Sequence, residues 1–333
     1  MRKIDIHTHI MPEKMPNWTK KFGYGEFIHL EERNCKACMM KGDKVFRQVD
    51  KNTFDAVTRK GECHATNVSQ QVLSTIPVLF NYWAMAKDAL ETSRFFNDHI
   101  AQTVSDHPDS FIGLGTVPLQ DVDLAIKEME RCVQELKMPG LEIGTNINGK
   151  NLSEPEFFPF YQQAEELGCA LFIHPWEMMG EGEMEKYWLP WLVGMPAETT
   201  RAICSLIFGG VFQKFPKLRI AFAHGGGSFP YTIGRIEHGF HVRPDLVQID
   251  NAINPRDYLG NFWVDSLVHD ATAFNYLMDK VGEDRICLGS DYPFPLGEHR
   301  PGELIESLKL ANEIEEKLLY KNALDWLGLP IPK

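Results

Sequence analysis

Along the chain, short apolar runs alternate with longer stretches in which apolar residues recur three and four positions apart. That change of period marks strands followed by amphipathic helices, the repeating unit of a parallel sheet. Strands are predicted at 3–10, 71–75, 111–117, 140–143, 170–174, 219–223, 262–264 and 286–289. Helices are predicted between them at 86–107, 121–136, 154–167, 197–208, 229–239 and 271–281, with a terminal helical segment over 303–327. Asp121 suits an N-cap and Gly168 a C-terminal stop. Residues 52–66 fall where the first barrel helix belongs, but Gly61 and Thr66 make the pattern a poor one.

Residues 11–51 depart from the repeat. Pro12, Pro16, Gly23, Gly25 and Gly42 punctuate β-like runs at 27–30 and 44–49, which reads as a small β insertion after the first strand. No low-complexity linker interrupts the rest. The pattern therefore predicts one domain over 1–333, an α/β protein built as a (β/α)8 TIM-like barrel carrying that insertion.

Composition narrows the function. With 44% hydrophobic and 24% charged residues the chain can bury a core. A net charge of −12 argues against nucleic acid or an anionic membrane surface as partner. No run approaches the ~20 apolar residues of a membrane span. Seven scattered cysteines and the lack of an apolar leader point to the cytoplasm and reduced thiols. Cys35 and Cys38 form a single C-x-x-C without a second pair, read as free thiols in a surface insertion. The run Gly225-Gly226-Gly227 has neither P-loop nor dinucleotide spacing and is read as room for close backbone passage.

Chemistry collects at the strand ends. In the first strand, Lys3 to Ile10, strict alternation puts His7 and His9 on one face and Ile4, Ile6 and Ile10 on the other. Strand five ends in His174, strand six in His224, and strand eight runs into Asp291. Each alone has a plain structural reading, as a rim histidine or a capping aspartate. Together these five residues lie at the mouth where barrel active sites form, and imidazole with carboxylate is a zinc-binding set.

This skeleton resembles the amidohydrolase superfamily. Longer stretches go further: Phe22-Gly23-Tyr24-Gly25, His174-Pro175-Trp176, the block YWLPWLVGMPAETT from Tyr187 to Thr200, His224-Gly225-Gly226-Gly227, and GSDYPFPLGE from Gly289 to Glu298. They resemble the 2-amino-3-carboxymuconate-6-semialdehyde decarboxylase family over essentially the whole chain. The resemblance implies one Zn2+ per chain held by His7, His9, His174 and Asp291, with His224 as acid/base beside an activated water. A fourth nitrogen ligand is the alternative role for His224.

The implied reaction is non-oxidative decarboxylation of 2-amino-3-carboxymuconate 6-semialdehyde to 2-aminomuconate 6-semialdehyde and CO2. Its setting would be tryptophan breakdown through kynurenine, away from quinolinate, or nitroaromatic degradation. By the same resemblance Arg47 and Arg235 clamp the substrate carboxylates, the second supplied by the partner subunit of a homodimer with shared sites. Trp191 and Phe294 would wall the pocket. The plain reading of the arginines is a surface ion pair, and of Trp191 a core or dimer-interface aromatic; Arg243 and Lys41 are weaker alternative cations. Related decarboxylases of hydroxybenzoates, and hydratases or hydrolases of muconate-like acids, share the ligand set. The Trp191 block and the Arg47 insertion favour the semialdehyde, and the intact ligand set with His224 disfavours a barrel kept only for binding.

Two departures stand out. Residues 53–72 match least, with His64 where an aspartate is expected, which puts the packing of the first helix in question. Glu142 lies on strand four, where two-metal relatives place a bridging carboxylate.

Overall fold

The computed structural model describes residues 2–33 and 36–331. Strand β1 (Ile4–His9) leads through a short helix, Trp18–Phe22, into an antiparallel meander of β2 (Ile28–Arg33), β3 (Lys36–Lys41) and β4 (Lys44–Val49). The β insertion is thus present, with one helical turn that the sequence pattern did not show. There follow β5 (Gln70–Ser74), β6 (Phe111–Gly115), β7 (Gly140–Gly144), a small hairpin of β8 (Asn146–Ile147) and β9 (Lys150–Asn151), then β10 (Ala170–His174), β11 (Ile220–Phe222), β12 (Trp263–Asp265) and β13 (Ile286–Cys287). Among the described residues, eight strands form one parallel sheet in the order β1-β5-β6-β7-β10-β11-β12-β13.

Closure falls to the chain beyond β13. Ile6 N–H donates to the Leu288 carbonyl at 2.9 Å and His9 N–H to the Tyr292 carbonyl at 2.8 Å. The eight predicted strands and the (β/α)8 barrel are therefore present, with the last strand reduced to two ladder residues.

The face assignment in β1 needs correction. Its register against β5 slips by one residue between Asp5 and Thr8. An extra residue flips the parity of the strand, a device found beside active sites. Ile4 and Ile6 consequently join Val72, Phe172 and Ala221 inside the barrel, and His7 and His9 still point inward above them. Only Ile10 packs on the outer side, against Leu73 and Phe80.

Residues 52–66 also form more structure than their composition suggested. A 3-10 turn precedes helix Ala56–Ala65, whose N-cap Asp55 accepts from Thr58 N–H at 2.8 Å. Gly61 faces open space, while Arg59 and Cys63, four apart on one face, are buried. His64 is exposed in the last turn, so its identity leaves the packing of this helix untouched. The Asp121 cap and the left-handed Gly168 stop form as read. The terminal segment is broken into short helices, the last of which, Asn322–Leu327, sets Trp326 against Phe172 inside the barrel. Among the described residues no helix is long and apolar enough to cross a membrane.

Candidate active site

Three imidazoles meet at one barrel mouth. The rings of His7, His9 and His174 stand edge to face, with centroids 5.0 to 5.2 Å apart. Each Nδ1 is occupied: by Asp265 Oδ2 at 2.6 Å for His7, the Thr75 carbonyl at 2.9 Å for His9, and the Pro175 carbonyl at 3.0 Å for His174. These acceptors fix the proton on Nδ1 and leave each Nε2 with a free lone pair. All three Nε2 atoms are buried without a hydrogen-bond partner. Asp291 Oδ1 lies 3.2 Å from His9 Nε2 and 3.5 Å from His7 Nε2.

Buried polar atoms left unpaired are costly, and three such nitrogens gathered beside the Asp291 carboxylate fit a cation that completes them. The four ligand atoms lie within 4.8 Å of one another. Three nitrogens and one oxygen are a donor set that suits zinc.

The charge states agree with this role. Burial pushes His9 below its ordinary pKa and His174 well below it, so both are neutral. Burial opposes charge on Asp291, but its histidine neighbours, His7 and His224 foremost, outweigh it and hold its carboxyl well below the usual range. His224 is not one of the four, but its ring packs against them, with its centroid 5.1 Å from that of His7 and 5.2 Å from that of His174. Its Nε2 is 3.8 Å from Asp291 Oδ2. Burial disfavours its charge, yet the Asp291 carboxylate raises its pKa overall.

A family model described as amidohydrolase matches residues 4–329. A 2-amino-3-carboxymuconate-6-semialdehyde decarboxylase from Dictyostelium discoideum is 56% identical over 98% of this chain and 92% of its own length. The chain belongs to that decarboxylase family. The family's member from Caenorhabditis elegans is 38% identical over 98% of this chain and 94% of its own. The fold is also that of 5-carboxyvanillate decarboxylase from Sphingomonas paucimobilis, with a TM-score of 0.84 and 22% identity over 99% of both chains. As a member of the 2-amino-3-carboxymuconate-6-semialdehyde decarboxylase family, the enzyme is a carboxy-lyase.

The structure brings most of the predicted pocket residues to the histidine cluster. A cavity lined by His9, His174 and Asp291 also holds Arg47 from β4, Trp191 and Phe294. The Arg47 guanidinium stacks 4.7 Å from the Phe294 ring and 6.0 Å from Trp191, and burial lowers its pKa. Among the described residues no carboxylate lies within ion-pair distance of it, and Asp291 is the charge that acts on it. A second cavity, of about 330 Å3, opens beside His224 and shares Trp191, Met195 and Leu296 with the first.

Arg235 lines neither cavity of its own chain and is exposed on helix Phe229–Val242. Arg243 is paired with Asp245, and Lys41 is exposed away from both cavities. Glu142 is fully buried behind His9, with Oε1 3.6 Å from His9 Nδ1, and burial pushes its carboxyl well above the ordinary range. Cys38 is buried rather than a surface thiol, and Cys35 lies outside the described residues. Gly227 meets backbone, since a Cβ there would sit 2.3 Å from the Pro196 carbonyl oxygen.

Sequence reasoning missed Asp265, the acceptor for His7, and the aromatic walls Phe46, Trp176 and Trp188. Asp265 carried a usable signal, because it ends strand seven at the same mouth as the histidines.

Proposed function

We propose that the enzyme decarboxylates 2-amino-3-carboxymuconate 6-semialdehyde to 2-aminomuconate 6-semialdehyde, with one zinc ion per chain. The observation that carries this reading is the 56% identity, over nearly the whole chain, to a decarboxylase named for that substrate. The pocket chemistry supports it. His7, His9, His174 and Asp291 would hold the zinc, which when bound supplies Lewis acidity and brings the pKa of a water to about 7.

The chain's own groups do the rest. Arg47 offers a guanidinium fork, set among aromatic rings, to one substrate carboxylate. Trp191 and Phe294 give a flat conjugated chain two faces to lie against. His224 takes a proton from solvent at Nε2, the nitrogen facing Asp291, and delivers it to the carbon that loses CO2. A proton replaces the carboxylate on that carbon, so no oxidant enters. The second carboxylate is met by Arg235 of the partner subunit in a homodimer, since among the described residues no second arginine or lysine lines either cavity.

The setting that goes with this substrate is cytoplasmic tryptophan breakdown through kynurenine. The test is to add zinc-loaded enzyme to freshly generated 2-amino-3-carboxymuconate 6-semialdehyde and measure CO2 release against spontaneous quinolinate formation. Release from a hydroxybenzoate in its place, with the semialdehyde untouched, would overturn the substrate assignment.

A further inference from the structure

Asp265 ends β12 fully buried, and each of its oxygens accepts two hydrogen bonds. Oδ2 takes His7 Nδ1–H at 2.6 Å and His224 N–H at 2.8 Å. Oδ1 takes Gly225 N–H at 2.8 Å and Leu267 N–H at 3.0 Å. A carboxylate only accepts, so His7 must carry its proton on Nδ1 and turn Nε2 to the cluster.

The same side chain holds a strained turn. His224 has φ +56° and Gly225 φ +61°, left-handed geometry that costs a non-glycine residue about 1 kcal/mol or more. Their two N–H groups, both bonded to Asp265, keep the His224 side chain at the mouth. Gly289 seats the carboxylate from the other side, because a Cβ there would lie 2.6 Å from the Asp265 Cβ and 2.9 Å from the His7 Cβ.

We propose that Asp265 is the positioning residue that locks the metal cradle and His224 into one geometry, orienting His7 for the ion and fixing the backbone that presents His224. This rests on the reading of His7 as ligand and His224 as proton carrier given above. One side chain thereby links two functions that lie on different strands.

Asp265→Asn tests it at constant size. An amide has one acceptor oxygen, so in either orientation its NH2 group faces two N–H donors. Zinc affinity, read by competition with a chromogenic chelator, should fall ~10–100-fold. At saturating zinc, kcat should fall with KM little changed, because the substrate contacts are elsewhere. Wild-type zinc affinity in Asp265→Asn would overturn the His7 part, and wild-type kcat at full loading would overturn the His224 part.

Should the variant not fold, amide exchange on the zinc-free wild-type protein decides. The His224 and Gly225 amides should exchange slowly despite lying in a turn, and free exchange would overturn the proposal. Zinc affinity and amide exchange need no substrate. A wild-type enzyme inert toward the semialdehyde would therefore sink the substrate assignment and leave this test standing.

Discussion

The Arg59 guanidinium donates from Nη1 to the backbone carbonyl of His9 at 2.6 Å. It is fully buried, and among the described residues no carboxylate lies within ion-pair distance of it. Nη1 also reaches the Asn52 carbonyl at 3.1 Å, Nε reaches Gln71 Oε1 at 3.2 Å, and the guanidinium sits 4.6 Å from the ring of Tyr292. One buried cation thus braces the strand carrying His7 and His9 and the loop carrying Asp291.

Arg59→Met keeps the stem and removes these donors. The orphaned carbonyls should cost on the order of 3 kcal/mol, read as a lower urea midpoint. Zinc affinity should weaken as well, because both supports of the cradle loosen. An unchanged midpoint would show that water replaces the guanidinium without loss.

How much of this was legible depends on whether the signal was local. His174, His224 and Asp291 stand at strand ends, and a strand end is visible in one sequence once the barrel period is seen. The slip at Ile6 and His7 was not visible, because register belongs to a pair of strands. Helix Ala56–Ala65 was undervalued for a similar reason. Its stability comes from burying Arg59 and Cys63 against the barrel, which propensity cannot register. Asp265 was missed because nothing around it in sequence reports the four donors that converge on it from three segments.

Under the proposed reaction, a substitution at His224 separates metal binding from proton transfer. Both of its ring nitrogens are buried without a hydrogen-bond partner, and it stands outside the four-residue ligand group. In His224→Ala, zinc content by elemental analysis should stay at one per chain while kcat drops ~10²–10⁴-fold. Loss of zinc from this variant would make His224 a ligand instead.

Metal removal should abolish turnover, and one equivalent of zinc per chain should restore it. At a thousandfold excess over Kd, binding would add about 4 kcal/mol to stability, seen as a raised Tm. Because burial lowers the pKa of His9 and His174, the neutral ligand form persists below the ordinary histidine value of 6.5. Loading should therefore hold from pH 8 down past 6.5 and fail only on further acidification. A requirement for two equivalents would bring the buried carboxyl of Glu142 into the site as a second-metal ligand.

The placement of Arg235 gives the sharpest test of a shared site. On its own chain it is exposed, one helical turn beyond Tyr231, which lines the cavity beside His224. Arg235→Ala and His224→Ala chains should each be inactive alone. Mixed and reassembled, a hybrid dimer would pair the intact His224 of one chain with the intact Arg235 of the other at one of its two sites. Random assembly then returns about a quarter of wild-type activity. A mixture that stays inactive while size analysis shows hybrid dimers would place the second carboxylate clamp elsewhere. Activity kept by Arg235→Ala alone would remove it from the substrate site altogether.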